Sequence, residues 1–373
     1  MNFTVSKNEL SNALQNVSHA ISPNSPQPAL RGIRIEASGD SLYITGSDAD
    51  VSIFYTLKKD DKNNLNIIEE GAILTEAKYL NEIVKKIDSD EIHVEVIDGT
   101  LTKFSGNAAQ FRINGMRPDD YPNIDFSKPA SSIRMTAADL SNVIDQTAFA
   151  TSSKETRPVL TGVNFKLYKN VLTFTATDSY RLAKKTVPFE STETFNITIP
   201  AKSLNEVKTT MLGSGEKEIE IAVNDKKAQF ISDEMILQTR LLDGGYPETD
   251  RLIPQSFSYV MTINRFDLIR AIDRTSFIRN ENMMINRLQL SPEEVIITNK
   301  SQEIGDSQET LAAVFEGEPL DISFSGSYVM DAAKSLKGET IKISFTGDMK
   351  PFILTNPEDD SVLQLVLPVR TYN

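Results

Sequence analysis

The sequence predicts an α+β chain of three tandem repeated domains, each with two helices on β-sheet. Three observations predict it: a helix-start pattern that recurs at shifts of 130 and 128 residues, a second helix that recurs at 124 and 125, and paired apolar strand runs in each copy. The chain has 373 residues, 39% of them apolar, enough to give each repeat a core.

The elements follow in order. A strand-like run ends at Val5, and Ser6 and Glu9 then stand at capping-box spacing before Leu10, Ala13, Leu14 and Val17. Apolar positions at i, i+3, i+4 and i+7 make one helical face, so a helix is predicted over 7–20. Strands at 32–35 and 42–45 follow, and then a helix over 75–87 with Leu80, Ile83, Val84 and Ile87 on one face. The second copy repeats this order. Thr136 and Asp139 precede Leu140, Val143 and Ile144 in a helix over 137–148, strands lie at 162–165 and 172–175, and a helix over 201–212 presents Leu204, Val207 and Met211. Asn264 and Asp267 open the third copy, with helices over 264–277 and 326–337 and strands at 287–290 and 295–298. Tyr121-Pro122 and Tyr246-Pro247 close the first two copies, and 123–131 and 250–258 read as linkers. The domains are therefore placed at 1–125, 130–250 and 256–373.

Lys and Arg number 39 against 52 Asp and Glu, a net charge of −13, which excludes gripping nucleic acid by bulk charge. The six predicted helices hold 11 basic and 9 acidic residues, so the rest of the chain carries −15. Solvated helix faces built from good helix formers give the same balance. The sequence has no cysteine, which excludes disulfides, thiolate nucleophiles and Cys-based metal sites. No phosphate loop, dinucleotide fingerprint, H-E-x-x-H or G-x-S-x-G is present, and His19 and His93 each stand without a sequence partner, so no catalytic residue, metal or cofactor is assigned. Asp48 and Asp178 occupy matching strand ends 130 residues apart. Side-chain to backbone turn bonds account for them, and a divalent-metal site in a tandem-domain hydrolase or nucleotidyl-transfer subunit is the rival reading. A pure protein scaffold is a second rival. No run reaches the ~20 apolar residues of a membrane span and the first residues lack a signal pattern, so the chain is expected to be cytoplasmic and free of membrane.

The layout resembles one family, the bacterial DNA sliding clamps (DNA polymerase III beta subunit). The resemblance covers the whole chain. It rests on the three repeats, on residues 175–183 (TATDSYRLA), on Tyr246-Pro247 with Arg251-Leu252-Ile253-Pro254, and on Leu367-Pro368-Val369-Arg370. It implies three clamp domains forming half of a pseudo-six-fold ring, closed by a homodimer around double-stranded DNA without sequence preference. It implies a non-catalytic function, holding the replicative polymerase to its template. Lys78, Lys202 and Arg157 are the implied DNA-facing residues, while Asn24-Ser25 stand where the family often carries a basic residue. DNA polymerase, clamp loader and repair proteins are implied to insert short peptide motifs into a groove lined by Leu160, Thr177, Ser179, Tyr180, Arg181, Leu182, Pro247, Arg251, Leu252, Tyr328, Leu367, Pro368, Val369 and Arg370. Within it, Arg181 and Arg370 are assigned to peptide carbonyls or acidic side chains. The implied dimer contact sets Phe111 and Ile113 against Phe277 and Ile278.

Overall fold

Apolar spacing decides the six helices of the computed structural model, which describes residues 1–213, 217–279 and 283–370. They are α1 (Lys7–Ser18), α2 (Ala77–Lys86), α3 (Ala137–Thr147), α4 (Ala201–Met211), α5 (Arg265–Arg274) and α6 (Gly326–Ser335). Leu10, Ala13, Leu14 and Val17 of α1 are buried, as are Leu268, Ala271 and Ile272 of α5. Burying a leucine of this kind contributes about 2 kcal/mol, far more than helix propensity supplies.

Capping differs among the copies. Asn264 accepts from the backbone N–H groups of Phe266 and Asp267, and Thr136 exchanges bonds with Asp139. The capping box expected at Ser6 and Glu9 does not form, since the Ser6 side chain makes no capping bond. Glu9 is drawn instead to Lys62, 2.9 Å away. The fifth and sixth helices also end earlier than their apolar pattern, at Arg274 and Ser335. Thr275 closes α5 by donating its hydroxyl to the Ile272 carbonyl.

Among the described residues the strands gather into four sheets, and two of these run across the repeats. In the eight-stranded sheet, Met235–Arg240 of the second repeat pairs antiparallel with Val51–Lys58 of the first, Thr239 opposite Val51. In the nine-stranded sheet, Arg181–Pro188 of the second repeat pairs with Asp359–Val366 of the third, Leu182 opposite Leu365. Backbone contacts therefore divide the chain into two units that cut through the second repeat: Met1–Leu140 with Asn205–Leu241, and Ser141–Leu204 with Leu242–Asn373. Sequence periodicity does not show this, because it marks copies and not the seams between them.

The first unit also holds a five-stranded sheet that ends at Ala109–Asn114. A four-stranded sheet in the second unit ends at Gly305–Leu311. Among the described residues, both terminal strands leave one side of their backbone without a neighbouring strand. The second unit buries Leu268, Ile272, Phe324, Phe345 and Val366 in one core, so helix and sheet faces of the third repeat meet there.

Candidate functional site

The groove residues expected from the sequence all fall in the second unit. The strand Val171–Thr177 turns sharply into Arg181–Pro188, and Asp178 makes the turn. Its Oδ1 accepts the backbone N–H groups of Tyr180 and Arg181 at 2.9 and 3.0 Å, and Thr177 Oγ1 donates to the Arg181 carbonyl. Ser179 sits at φ 78°, a left-handed conformation that the turn requires. Asp48 does the same in the first repeat, accepting from Asp50 and Val51, with Ala49 at φ 81°. Both aspartates are thus turn formers. Among the described residues no group of three or more His, Cys, Asp or Glu is placed to hold a metal ion.

Arg181 is engaged on three sides. Nε donates to Asp178 Oδ2 at 3.0 Å, Nη1 to Asp331 Oδ2 of α6 at 2.7 Å, and Nη2 to the Phe149 carbonyl at 2.7 Å. Its guanidinium lies 4.5 Å from the Tyr328 ring centre and 5.4 Å from that of Phe149. Planar stacking and a fork of donors suit arginine and not lysine. The sequence reading assigned Arg181 to incoming peptide groups. The structure spends it on the wall, joining the turn, the residues after α3 and α6. Burial, and then the Asp178 charge, raise the Tyr328 phenol above its ordinary pKa, so it is neutral at physiological pH and presents a donor.

The last strand completes the site. Beyond Val366 the Leu367 N–H donates to the Tyr180 carbonyl at 2.9 Å, and the Val369 N–H donates to the Ser323 carbonyl at 2.8 Å. Pro368 bridges to Phe324. One terminal segment therefore links the nine-stranded sheet to the four-stranded sheet. Leu182, Ile353 and Leu365 form an apolar floor against which Leu367, Ile253 and Phe257 pack. On the far side the Tyr246 hydroxyl accepts the Thr177 N–H at 3.0 Å and so fixes Pro247. Lys184 holds Asp250 at 2.7 Å at the start of the short helix Asp250–Leu252 that carries Arg251 and Leu252.

Leu160, Thr177 and Leu182 are buried, Tyr328, Leu367, Pro368 and Val369 are half-buried, and Tyr180 and Leu252 are 58% and 55% exposed. Large exposed apolar side chains thus accompany a buried apolar cluster in this region. Ser179, Pro247, Arg251 and Arg370 are exposed. The sequence reading missed Phe149, Asp331, Ile253 and Phe257. Asp331 had a signal, since it shares its helix position with Glu82 and Glu206, and so did Ile253, which lies in the segment 251–254 that carries the resemblance; Phe149 and Phe257 had none.

The remaining predicted residues are placed as follows. Lys78, Lys202 and Arg157 are exposed, Lys78 beside the Tyr79 ring. The loop carrying Arg157 is tied to the groove, because Leu160 donates its N–H to the Arg157 carbonyl and accepts from Ser152. Phe111 and Ile113 are half-buried on the terminal strand Ala109–Asn114. Phe277 is 67% exposed, whereas Ile278 is 3% exposed. Ile278 belongs to the interior of its own repeat, and Phe277 is the residue available at the surface.

Three repeats joined through shared sheets define an α+β tandem-repeat protein. Residues 1–125, 134–248 and 250–370 match, respectively, the N-terminal, central and C-terminal domains of the DNA polymerase III beta subunit. The chain is 39% identical over 379 residues to the beta sliding clamp of Bacillus subtilis (strain 168) and 38% identical over 381 residues to that of Halalkalibacterium halodurans, covering 100% of each chain in both cases. It is also similar to the crystal structure of the Bacillus subtilis DNA polymerase sliding clamp, with 38% identity, a TM-score of 0.96 and full coverage of both chains. The beta subunit structure from Streptococcus pyogenes aligns at 29% identity and a TM-score of 0.94, again over 100% of both chains. The chain belongs to the DNA polymerase III beta subunit family, the beta sliding clamps, which are processivity factors of DNA replication and not enzymes.

Proposed function

We propose that two copies of this chain close a ring around double-stranded DNA and tether the replicative polymerase there, in the cytoplasm. Its domains are taken as 1–125, 130–250 and 256–373. The observation that carries the reading is the pair of unpaired sheet edges, Ala109–Asn114 in the first repeat and Gly305–Leu311 in the third. Pairing each with the other edge of a second copy leaves neither exposed and gives a closed two-fold assembly. The edges also differ in charge: Arg112 is exposed on the first, and Asp306 and Glu303 are exposed on or beside the second. Phe111, Ile113 and Phe277 form the apolar contact, with Ile278 supporting Phe277 from within.

The helices support the DNA-facing side. Together the six hold 10 basic and 8 acidic residues in a chain whose net charge is −13. A weakly positive lining permits transient phosphate contacts, from Lys78, Lys202 and Arg157, without the tight salt-dependent binding that opposes sliding. The groove takes short apolar motifs of DNA polymerase, clamp loader and repair proteins.

The test is retention on a nicked circular plasmid after loading by the organism's own ATP-dependent loader, followed by linearisation at moderate salt. Release on cutting is expected, and retention on the linear form refutes a topological link.

A further inference from the structure

Each repeat carries an acidic residue at the same place in its second helix: Glu82 in α2, Glu206 in α4 and Asp331 in α6, spaced by 124 and 125 residues. Two of them lie where one repeat meets the preceding one within the chain, and each receives a nitrogen from that preceding repeat. His19 Nδ1 is 2.9 Å from Glu206 Oε2, and Arg181 Nη1 donates to Asp331 Oδ2 at 2.7 Å. The groups around these pairs also correspond. His19, Phe149 and Phe277 stand at matching positions just past α1, α3 and α5, and Tyr79 matches Tyr328. Around Asp331, Phe149 and Tyr328 hold Arg181 between them.

Glu82 belongs to the first of the three repeats, and its ion-pair partner among the described residues lies on its own helix. Its carboxylate meets Lys86 one turn along α2 at 3.0 Å, and its side chain is 54% exposed. We propose that Glu82 is the third copy of this junction pin and takes Arg279 from the third repeat of a second copy of the chain. The proposal rests on the homodimer reading and names the ion pair that closes it. Arg279 is exposed, two residues beyond Phe277, on a segment held in place. Asn299 Nδ2 donates to the Ile278 carbonyl at 3.1 Å and Ser301 Oγ to the Arg279 carbonyl at 3.2 Å. The buried Ile278 side chain anchors the same segment and leaves Phe277 and Arg279 exposed, with Arg279 Nε donating to the Ser276 carbonyl at 3.0 Å. Beside Glu82's helix a cleft of about 480 Å³ is lined by Glu76, Tyr79, Arg112, Ile113 and Met116. Phe277 entering it meets Tyr79, as its counterpart Phe149 lies across Arg181 from Tyr328.

The experiment is sedimentation equilibrium of the full chain over a dilution series. Glu82→Arg and Arg279→Glu are each expected to weaken dimerisation about ten-fold, because a closed dimer contains the pair twice. The double variant is expected to return to within about two-fold of the parent. Glu82→Gln, which keeps the helix charge balance milder, is expected to weaken it about three-fold, and Lys86→Ala to leave it unchanged. A parent chain that is monomeric throughout overturns the homodimer reading itself. A dimeric parent with unaffected single variants overturns the pin alone, as does a double variant no tighter than the singles.

Discussion

Replacing Arg181 by alanine tests whether the groove wall is held by this one side chain. The variant loses three hydrogen bonds and two ring contacts from a side chain that is 13% exposed. Asp331 is 43% exposed and water replaces its partner, so that bond counts for little. Asp178 is 12% exposed and loses its cation, but it keeps the two turn N–H groups, which reduces the penalty of a buried unpaired charge. One charge-assisted bond to Asp178, one to the Phe149 carbonyl and the lost stacking together come to about 3 kcal/mol. Hydrogen exchange reads this directly. The amides of Arg181 and Leu367 are expected to exchange about 100-fold faster, at ~1.4 kcal/mol per factor of ten, with the first-repeat amides unchanged. Affinity for a short apolar peptide, measured by fluorescence anisotropy, is expected to fall with them. Lysine at this position carries a point charge in place of the fork and is expected to recover less than half of the loss. Protection and peptide affinity equal to the parent's would refute the reasoning.

Phe277→Asp is expected to give folded monomers by light scattering, whereas Ile278→Asp is expected to lose about 4 kcal/mol of stability, since it buries a charge in the third repeat. Equal stability of the two variants in denaturant titration would contradict the placement of Ile278. Gly162→Ala puts a Cβ 2.5 Å from the Ile199 carbonyl oxygen and 2.6 Å from Leu242 Cδ1, and is expected to cost about 2 kcal/mol in the same titration. Burial raises the phenols of Tyr55, Tyr121 and Tyr246 above the ordinary 10.0. The unfolded chain therefore ionises first, and stability present below pH 10 is expected to fall as pH rises beyond it. Denaturant midpoints at neutral and alkaline pH, with phenolate absorbance as the second probe, check the sign.

The helices and most strands were legible because their signal is local. Leu10 to Val17 or Leu268 to Ile272 form one face at fixed spacing, and the structure buries that face. The turn role of Asp48 and Asp178 was legible for the same reason. What the residues alone did not give are partners distant in sequence. Glu9 stands at capping spacing yet pairs with Lys62, and Arg181 reads as a free cation yet is shared by Asp331, 150 residues on. The resemblance sets Ile278 beside Phe277 at the dimer contact, and only the structure shows that Ile278 is 3% exposed while Phe277 is 67% exposed. A periodic pattern states which face is apolar; it does not state which ion pairs close a seam between repeats.

The two seams also differ in the surface chemistry they present. At the second seam the Leu367 N–H donates to the Tyr180 carbonyl, and at the first the Arg240 N–H donates to the Asp50 carbonyl. The backbone bond is the same, but an ion pair at 3.9 Å between Arg240 and Asp50 stands where the groove has Leu367 and Tyr180. Val51 and Ser52 likewise replace Arg181 and Leu182, so the first seam has neither the wall cation nor the apolar floor residue. The turn aspartates keep their bonds in both copies, because the backbone needs them to reverse direction. Retained turn chemistry with exchanged surface chemistry is the pattern expected when folding constrains one set of residues and partner binding the other. Placing Tyr180, Arg181, Leu182 and Leu367 at positions 50, 51, 52 and 240 should therefore create measurable affinity for an apolar peptide at the first seam. A quadruple variant that folds and binds peptide only at the original stoichiometry would show that these four side chains are insufficient to make the groove.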